Sequence, residues 1–101
     1  MYTATMRYKF KPEMFEVACG FWRNLVLEQA KKAPGLVRME FLVAKPFALA
    51  IGTWEDKSFA EEFMQTGVFK RLLESLVGLT DAEPKAETWS LDSFWDVNTK
   101  R

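Results

Sequence analysis

Three side chains could take part in chemistry: the indole of Trp54, the phenol of Tyr8 and the guanidinium of Arg7. Trp54 stands where an apolar stretch gives way to an acidic turn, and pockets open at such strand ends. The phenol could hydrogen-bond a ligand oxygen, and the guanidinium could stabilise an oxyanion. A second interpretation stays open for each: the two aromatic residues could belong to the core, and the arginine to an ion pair.

The absence of histidine limits the chemistry more than any residue that is present. Histidine is the usual general base near neutral pH and the commonest metal ligand, and it is a common haem ligand. The only cysteine, Cys19, falls within a predicted helix, where a buried thiol behaves as a small apolar side chain. We therefore expect neither a metal nor a cofactor.

Composition indicates a small folded domain rather than a disordered chain. The 101 residues are 49% hydrophobic, and 14 basic residues balance 14 acidic ones. A neutral chain has no electrostatic footprint for nucleic acid or an anionic membrane surface. One cysteine excludes an intrachain disulfide, and neither a signal peptide nor a long apolar run is visible. We predict one domain, 1–101, in the cytoplasm, with no nucleic-acid or membrane partner.

Hydrophobic periodicity predicts six elements in the order strand, helix, strand, strand, helix, strand. The predicted strands are residues 2–10, 36–44, 47–54 and 87–97, and the predicted helices are residues 13–33 and 58–77. Asp56 or Ser58 is expected to cap the second helix, which Gly67 could interrupt. The order is that of an α+β, ferredoxin-like fold, a four-stranded antiparallel sheet with both helices on one face.

The third strand predicts a partner. Residues 47–54 are nearly all apolar, which is typical of a strand buried on both faces. Two helices can cover only one face of a four-stranded sheet, so the other face needs a different cover. We expect a homodimer through the sheet face, since two-fold pairs are the commonest oligomers.

Three motifs resemble the antibiotic biosynthesis monooxygenase family of dimeric α/β barrels. They are A-P-G-L at residues 33–36, G-T-W-E-D at residues 52–56, and a segment with Phe63 followed by G-V-F-K at residues 67–70. The resemblance covers nearly the whole chain. It implies a dimeric barrel and, in some members, oxidation of aromatic or quinol-like substrates by molecular oxygen without metal or flavin. Other members degrade haem, and many have no established reaction.

The haem-degrading branch matches this sequence at one of three positions. Its pattern has an asparagine on the first strand, a tryptophan at the end of the third and a histidine on the second helix. Trp54 matches, but Met6-Arg7-Tyr8 offers no asparagine, and leucines stand where the histidine would fall. Haem iron would lack its proximal histidine.

Two functions follow from the resemblance and the residues. One is a cofactor-independent monooxygenase that oxidises an aromatic or quinol-like small molecule with O₂. The alternative is a non-catalytic dimeric α/β barrel that binds a small apolar ligand or acts as an assembly module. The predicted catalytic residues are Trp54, Tyr8 and Arg7, and the predicted substrate-binding residues are Trp22, Phe63 and Phe69.

Overall fold

A four-stranded antiparallel sheet is the frame of the molecule. The computed structural model describes residues 1–97, so the predicted domain extends through residues 98–101, which lie outside the described part. The strands are β1 (Tyr2–Lys9), β2 (Leu36–Ala44), β3 (Phe47–Trp54) and β4 (Lys85–Ser90), in the spatial order β2-β3-β1-β4. The predicted α+β, ferredoxin-like architecture is confirmed.

Strand pairing aligns the side chains that face the helices. In β1 and β3, Ala4 pairs with Gly52, Met6 with Ala50 and Tyr8 with Ala48. Side chains alternate along a strand, so these residues share one face of the sheet, which we call the helix face. The opposite side, the open face, carries apolar and charged residues side by side, including Arg7, Leu42, Phe47, Leu49, Ile51 and Trp89.

The first helical region runs without a break from residue 12 to residue 30. It consists of a 3₁₀ turn (Pro12–Met14), α1 (Phe15–Trp22), a π-helical segment (Arg23–Leu27) and α2 (Glu28–Ala30). Pro12 opens it, where its missing N–H costs no hydrogen bond. The predicted helix is therefore present, but its middle is wound as a π-helix, a feature that periodicity did not predict.

The second helical region is two helices, α3 (Lys57–Met64) and α4 (Val68–Ser75). Asp56 caps α3 by accepting a hydrogen bond from the backbone N–H of Ser58 at 3.0 Å. Gly67 separates the helices with a φ of 82°, which favours glycine because it lacks a Cβ. The predicted interruption at Gly67 is confirmed. No helix within residues 1–97 is long and apolar enough to cross a membrane.

The core lies between the helix face and the two helical regions. Tyr8, Ala50 and Trp54 of the sheet form one cluster with Trp22 of α1 and Phe63 of α3. No charged or polar residue within residues 1–97 is buried. Burying charge without a partner costs several kcal/mol or more, on the order of the whole stability of a small domain. The core is held by apolar and aromatic packing.

The prediction of a last strand over residues 87–97 is wrong at both ends. Strand β4 begins at Lys85 and ends at Ser90, and residues 91–97 follow without regular structure. The alternating apolar residues Trp89, Leu91 and Trp95 suggested a strand, but β4 pairs only with β1. The first strand ends at Lys9. All eight residues of Tyr2–Lys9 pair with the eight residues of β3.

Candidate ligand-binding site

A small apolar cavity lies between the helix face and the helices. Its volume is about 130 Å³, and we call it the inner cavity. It is lined by Ala4, Thr5, Met6, Val26, Met39, Ala50, Gly52, Trp54, Ala60, Phe63, Met64, Phe69, Ala86, Glu87 and Thr88. The size is close to the roughly 150 Å³ of an engineered apolar cavity that holds one benzene molecule.

Small residues on adjacent strands create the inner cavity. Ala4 and Gly52 face each other across β1 and β3, while Ala86 lies beside Met6 across β1 and β4. Ala50 and, on α3, Ala60 complete the group. The larger side chains around this patch hold the helices away from the sheet. The space left by the small residues therefore stays unfilled.

Three aromatic rings form a continuous wall of the cavity. The ring centroids of Trp54 and Phe63 are 5.1 Å apart, and those of Phe63 and Phe69 are 5.7 Å apart in an edge-to-face arrangement. Both distances lie in the range that favours aromatic pairs. The structure thus brings together three of the six residues predicted for the site.

The missing side chain of Gly52 leaves room for the Trp54 ring and the Met39 side chain to lie over the helix face of the sheet. A Cβ at position 52 would lie 3.1 Å from the indole nitrogen of Trp54 and 3.2 Å from the terminal methyl carbon of Met39. Gly52 sits two residues before Trp54 on the same face of β3. The absence of a side chain at position 52 therefore determines where Trp54 and Met39 lie in the wall of the cavity.

The π-helical segment also contributes to the wall. Val26 lies within it, is fully buried and lines the inner cavity. A π-helical turn inserts extra backbone into a helix and shifts the side chains after it, and such turns are frequent at functional sites. Periodicity places Val26 on the apolar face of the predicted helix, but it does not show that this residue lines a cavity.

The interior of the inner cavity offers no ionisable side chain within the described residues. Thr5 and Glu87 line it, but they pair across β1 and β4 at an open-face position, so their side chains point away from the helices. The Thr5 hydroxyl indeed accepts a hydrogen bond from the Trp89 indole at 3.1 Å on that face. Thr88 is the polar side chain whose register places it on the helix face.

A second, larger cavity of about 520 Å³ lies beside the first, and we call it the outer cavity. It is lined by Met6, Tyr8, Phe69, Leu72, Leu73, Leu76, Val77, Thr80, Glu83, Pro84 and Ala86. Tyr8 therefore belongs to the outer cavity and not to the inner one. Three residues, Met6, Phe69 and Ala86, line both.

Tyr8 is a buried, neutral phenol. Its ring stacks on Phe10 at 5.3 Å and meets the edge of Phe41 at 6.4 Å. Burial raises the pKa of Tyr8 above its ordinary value because it disfavours the phenolate, while the nearby Trp22 side chain acts in the opposite direction. The Tyr8 hydroxyl and the Trp22 indole nitrogen are both buried without a partner that meets hydrogen-bond geometry among the described residues.

Trp22 and Arg7 do not join the cavities. Trp22 is buried beside Phe41, with parallel rings 4.2 Å apart, and lines neither cavity. Arg7 is exposed on the open face, near Leu42 and Phe47. Strand alternation already places Arg7 on the face opposite Tyr8. The position of Trp22 could not be known from the sequence, because it depends on how α1 packs against the sheet.

Other reactive groups are few in the described part of the chain. Cys19 is buried in α1, and burial raises the pKa of its thiol, as does the nearby charge of Glu16, while Arg23 lowers it. A thiol of raised pKa is a weak nucleophile. Among residues 1–97, no three histidine, cysteine, aspartate or glutamate side chains group as metal ligands would.

No protein-family model matches the sequence, and no curated protein matches it either. Solved structures do match in fold. A Nitrosomonas europaea protein of unknown function superposes with a TM-score of 0.81 at 16% identity, over 93% of this chain and 91% of the other. An antibiotic biosynthesis monooxygenase gives 0.78 at 18% identity, over 92% and 100% of the chains.

A further similar structure carries a ligand. It is a monooxygenase of Streptomyces coelicolor in complex with Nanaomycin D, with a TM-score of 0.74 and 15% identity over 93% of this chain and 89% of that one. Identities this low establish shape and not activity. The chain has the ferredoxin-like fold of the antibiotic biosynthesis monooxygenase structures.

Proposed function

We propose that this chain binds a small aromatic or quinol-like molecule in the inner cavity and oxidises it with O₂ without a cofactor. The observation that carries the proposal is the inner cavity itself, almost entirely apolar and walled by the rings of Trp54, Phe63 and Phe69. A flat ring fits between aromatic walls, where offset stacking and edge contacts add to the hydrophobic effect.

The chemistry would come from the substrate, with the protein providing a dry enclosure. In the keto tautomer of a quinol, one ring carbon carries two hydrogen atoms; it gives them up, takes one oxygen atom and becomes a carbonyl, while the second oxygen atom leaves as water. Both atoms of O₂ and both hydrogen atoms are thereby accounted for, and no external reductant is needed. Excluding water protects the reactive intermediate from side reactions. The fold likeness to monooxygenase structures supports this reading.

A second function is favoured by one specific observation. The described wall of the inner cavity has no ionisable side chain facing its interior, so nothing there is suited to remove a proton. A chain that only binds a small apolar ligand needs no such group. Binding without turnover is therefore the alternative, and oxygen consumption separates the two.

A larger side chain in the inner cavity should prevent the proposed ligand from binding. We expect Ala60→Leu to abolish the rise in melting temperature that hydroquinone gives the wild-type protein, because the added leucine occupies the ligand's space. A ligand that binds the folded state raises its stability by mass action. Thermal shift would measure binding, and an oxygen electrode would measure turnover in the same samples.

The control for this variant is Glu61→Leu, which adds the same side chain at an exposed position of α3. It should bind like the wild type. Equal ligand response in Ala60→Leu and wild type would place the ligand elsewhere. Binding without oxygen uptake would select the alternative function.

Tyr8 should stay neutral and should not act as a base. In an unfolded chain tyrosine titrates near pH 10, and burial raises the pKa of Tyr8 in the folded protein. The unfolded state therefore loses this proton first as the pH rises. The Tyr8 contribution to the free energy of unfolding is fully present below about pH 10 and declines above it.

The measurement is urea unfolding at a series of pH values from 8 to about 11. We expect Tyr8→Phe to show a shallower loss of stability above about pH 10 than the wild type, because the phenol is gone. The same variant should leave any pH dependence of oxygen uptake below pH 10 unchanged. A new inflection near neutral pH that Tyr8→Phe removes would instead make Tyr8 a base.

We also propose that the open face pairs with a second copy of this chain. Leu42, Phe47 and Trp89 are each about half exposed there, at 48%, 48% and 52%. Arg38 and Glu40 stand side by side, joined at 3.1 Å, so a two-fold copy could present each charge to its opposite. Exposed apolar side chains on one sheet face suit an interface with a second copy.

Residues after β4 extend the same surface. Asp96 lies 3.8 Å from Arg38, so the segment that follows β4 reaches the far edge of the sheet at β2. Phe94 and Trp95 of this segment are exposed, at 53% and 77%. These two rings add apolar area beside the open face.

A charge at the centre of the open face should separate the copies. We expect the wild type to sediment as a dimer and Leu49→Lys as a monomer, because a buried unpaired lysine would be costly at the interface. Val17→Lys adds the same charge at an exposed position of α1 and should remain a dimer. A monomeric wild type in analytical ultracentrifugation would contradict the pairing.

A further inference from the structure

Met6 stands between the inner and the outer cavity and forms part of the wall of both. Phe69 and Ala86 are the other two residues that line both cavities. Ala86 lies directly across from Met6 in the pairing of β1 with β4, and its methyl group is too short to close a passage. The separation therefore depends on two side chains, Met6 and Phe69.

The two side chains differ in how firmly they are held. Phe69 meets Phe63 edge to face, at 5.7 Å and an interplanar angle of 85°, and is thereby tied to the aromatic wall. Met6 is unbranched, with three rotatable bonds and a soft thioether, and this type of side chain adapts its shape to its surroundings. Met6 is the variable part of the partition.

The volumes of the inner and outer cavities limit the size of the ligand that each can hold. At about 130 Å³ the inner cavity alone has room for about one ring. The outer cavity adds about 520 Å³ on the other side of Met6. Joined, the two would form an elongated apolar site that ends at Thr80 and Glu83, whose oxygens can accept hydrogen bonds from a ligand hydroxyl.

We propose that Met6 determines the length of the ligand that this chain accepts. With methionine at position 6, the site takes a single-ring quinol. With a shorter side chain there, the inner and outer cavities become one site for quinols of two or three fused rings. This inference rests on the proposed function only in taking the inner cavity as the place where the ligand binds.

Binding of two probes without oxygen tests the role of Met6. Hydroquinone represents the single ring and 1,4-dihydroxynaphthalene the fused pair, and isothermal titration under nitrogen gives the ratio of their dissociation constants. We expect Met6→Ala to shift this ratio toward the longer ligand by about tenfold, which corresponds to about 1.4 kcal/mol. The ratio cancels any general effect of the substitution on the folded protein.

Met39→Ala is the matched control. It removes the same atoms from the wall of the inner cavity but does not touch the outer one, so it enlarges the first without joining the two. We expect its ratio to stay at the wild-type value. If Met6→Ala unfolds, Met6→Val provides a smaller side chain that suits a strand.

Two results would overturn the inference. One is an equal change of the ratio in Met6→Ala and Met39→Ala, which would mean that added volume matters and its position does not. The other is a wild-type protein that binds both probes equally well. Because no oxygen is present, a chain that binds but does not oxidise still tests the role of Met6. A chain that binds neither probe, in any variant, would refute both the proposed function and this inference.

Discussion

The rest of the site depends on one patch of the sheet where the side chains are small. Ala4, Gly52 and Ala86 lie at helix-facing positions of three adjacent strands, and Ala60 approaches them from α3. Protein interiors are normally filled to crystal-like density, so a void of this size marks a place where packing is incomplete. Empty apolar cavities cost stability. A ligand that fills this one would recover part of that cost.

The aromatic residues give the void its chemical character. The ring of Phe63 contacts those of Trp54 and Phe69. Because Gly52 has no side chain, the Trp54 indole and Met39 can pack close to the sheet. The wall is therefore both rigid and apolar, and it favours a flat molecule with few charges. The same arrangement supplies no proton acceptor, which is why any oxidation here must depend on the reactivity of the substrate.

Much of the fold could be predicted from the sequence, because local signals are strong where the elements begin and end. Period-two alternation located β1, and the Pro34-Gly35 and Lys45-Pro46 pairs marked the ends of elements. Gly67 was named as a residue that could interrupt the single helix predicted over residues 58–77, and it lies between the two helices that are present. The last strand was overextended, because Leu91, Trp95 and Val97 share a strand period, but β1 offers no residue to pair with beyond Ser90.

The site itself was only half predictable. Trp54 could be named because it stands at the end of a strand, and Phe63 and Phe69 because they are large aromatic residues of a predicted helix. Trp22 shared the second signal and proved to pack against Phe41. The small residues that open the cavity were missed. Their signal was present, since alanine and glycine recur at alternate positions of neighbouring strands, but recognising it needs the register that joins those strands.

The most direct test of the central claim uses the five methionines of the chain as reporters. In a protein labelled with ¹³C at the methionine methyl groups, hydroquinone added under nitrogen should shift the NMR signals of Met6, Met39 and Met64, which line the inner cavity. The signals of Met1 and Met14, which line neither cavity, should stay in place. Unchanged signals from all three cavity methionines, or equal shifts in all five, would contradict the account.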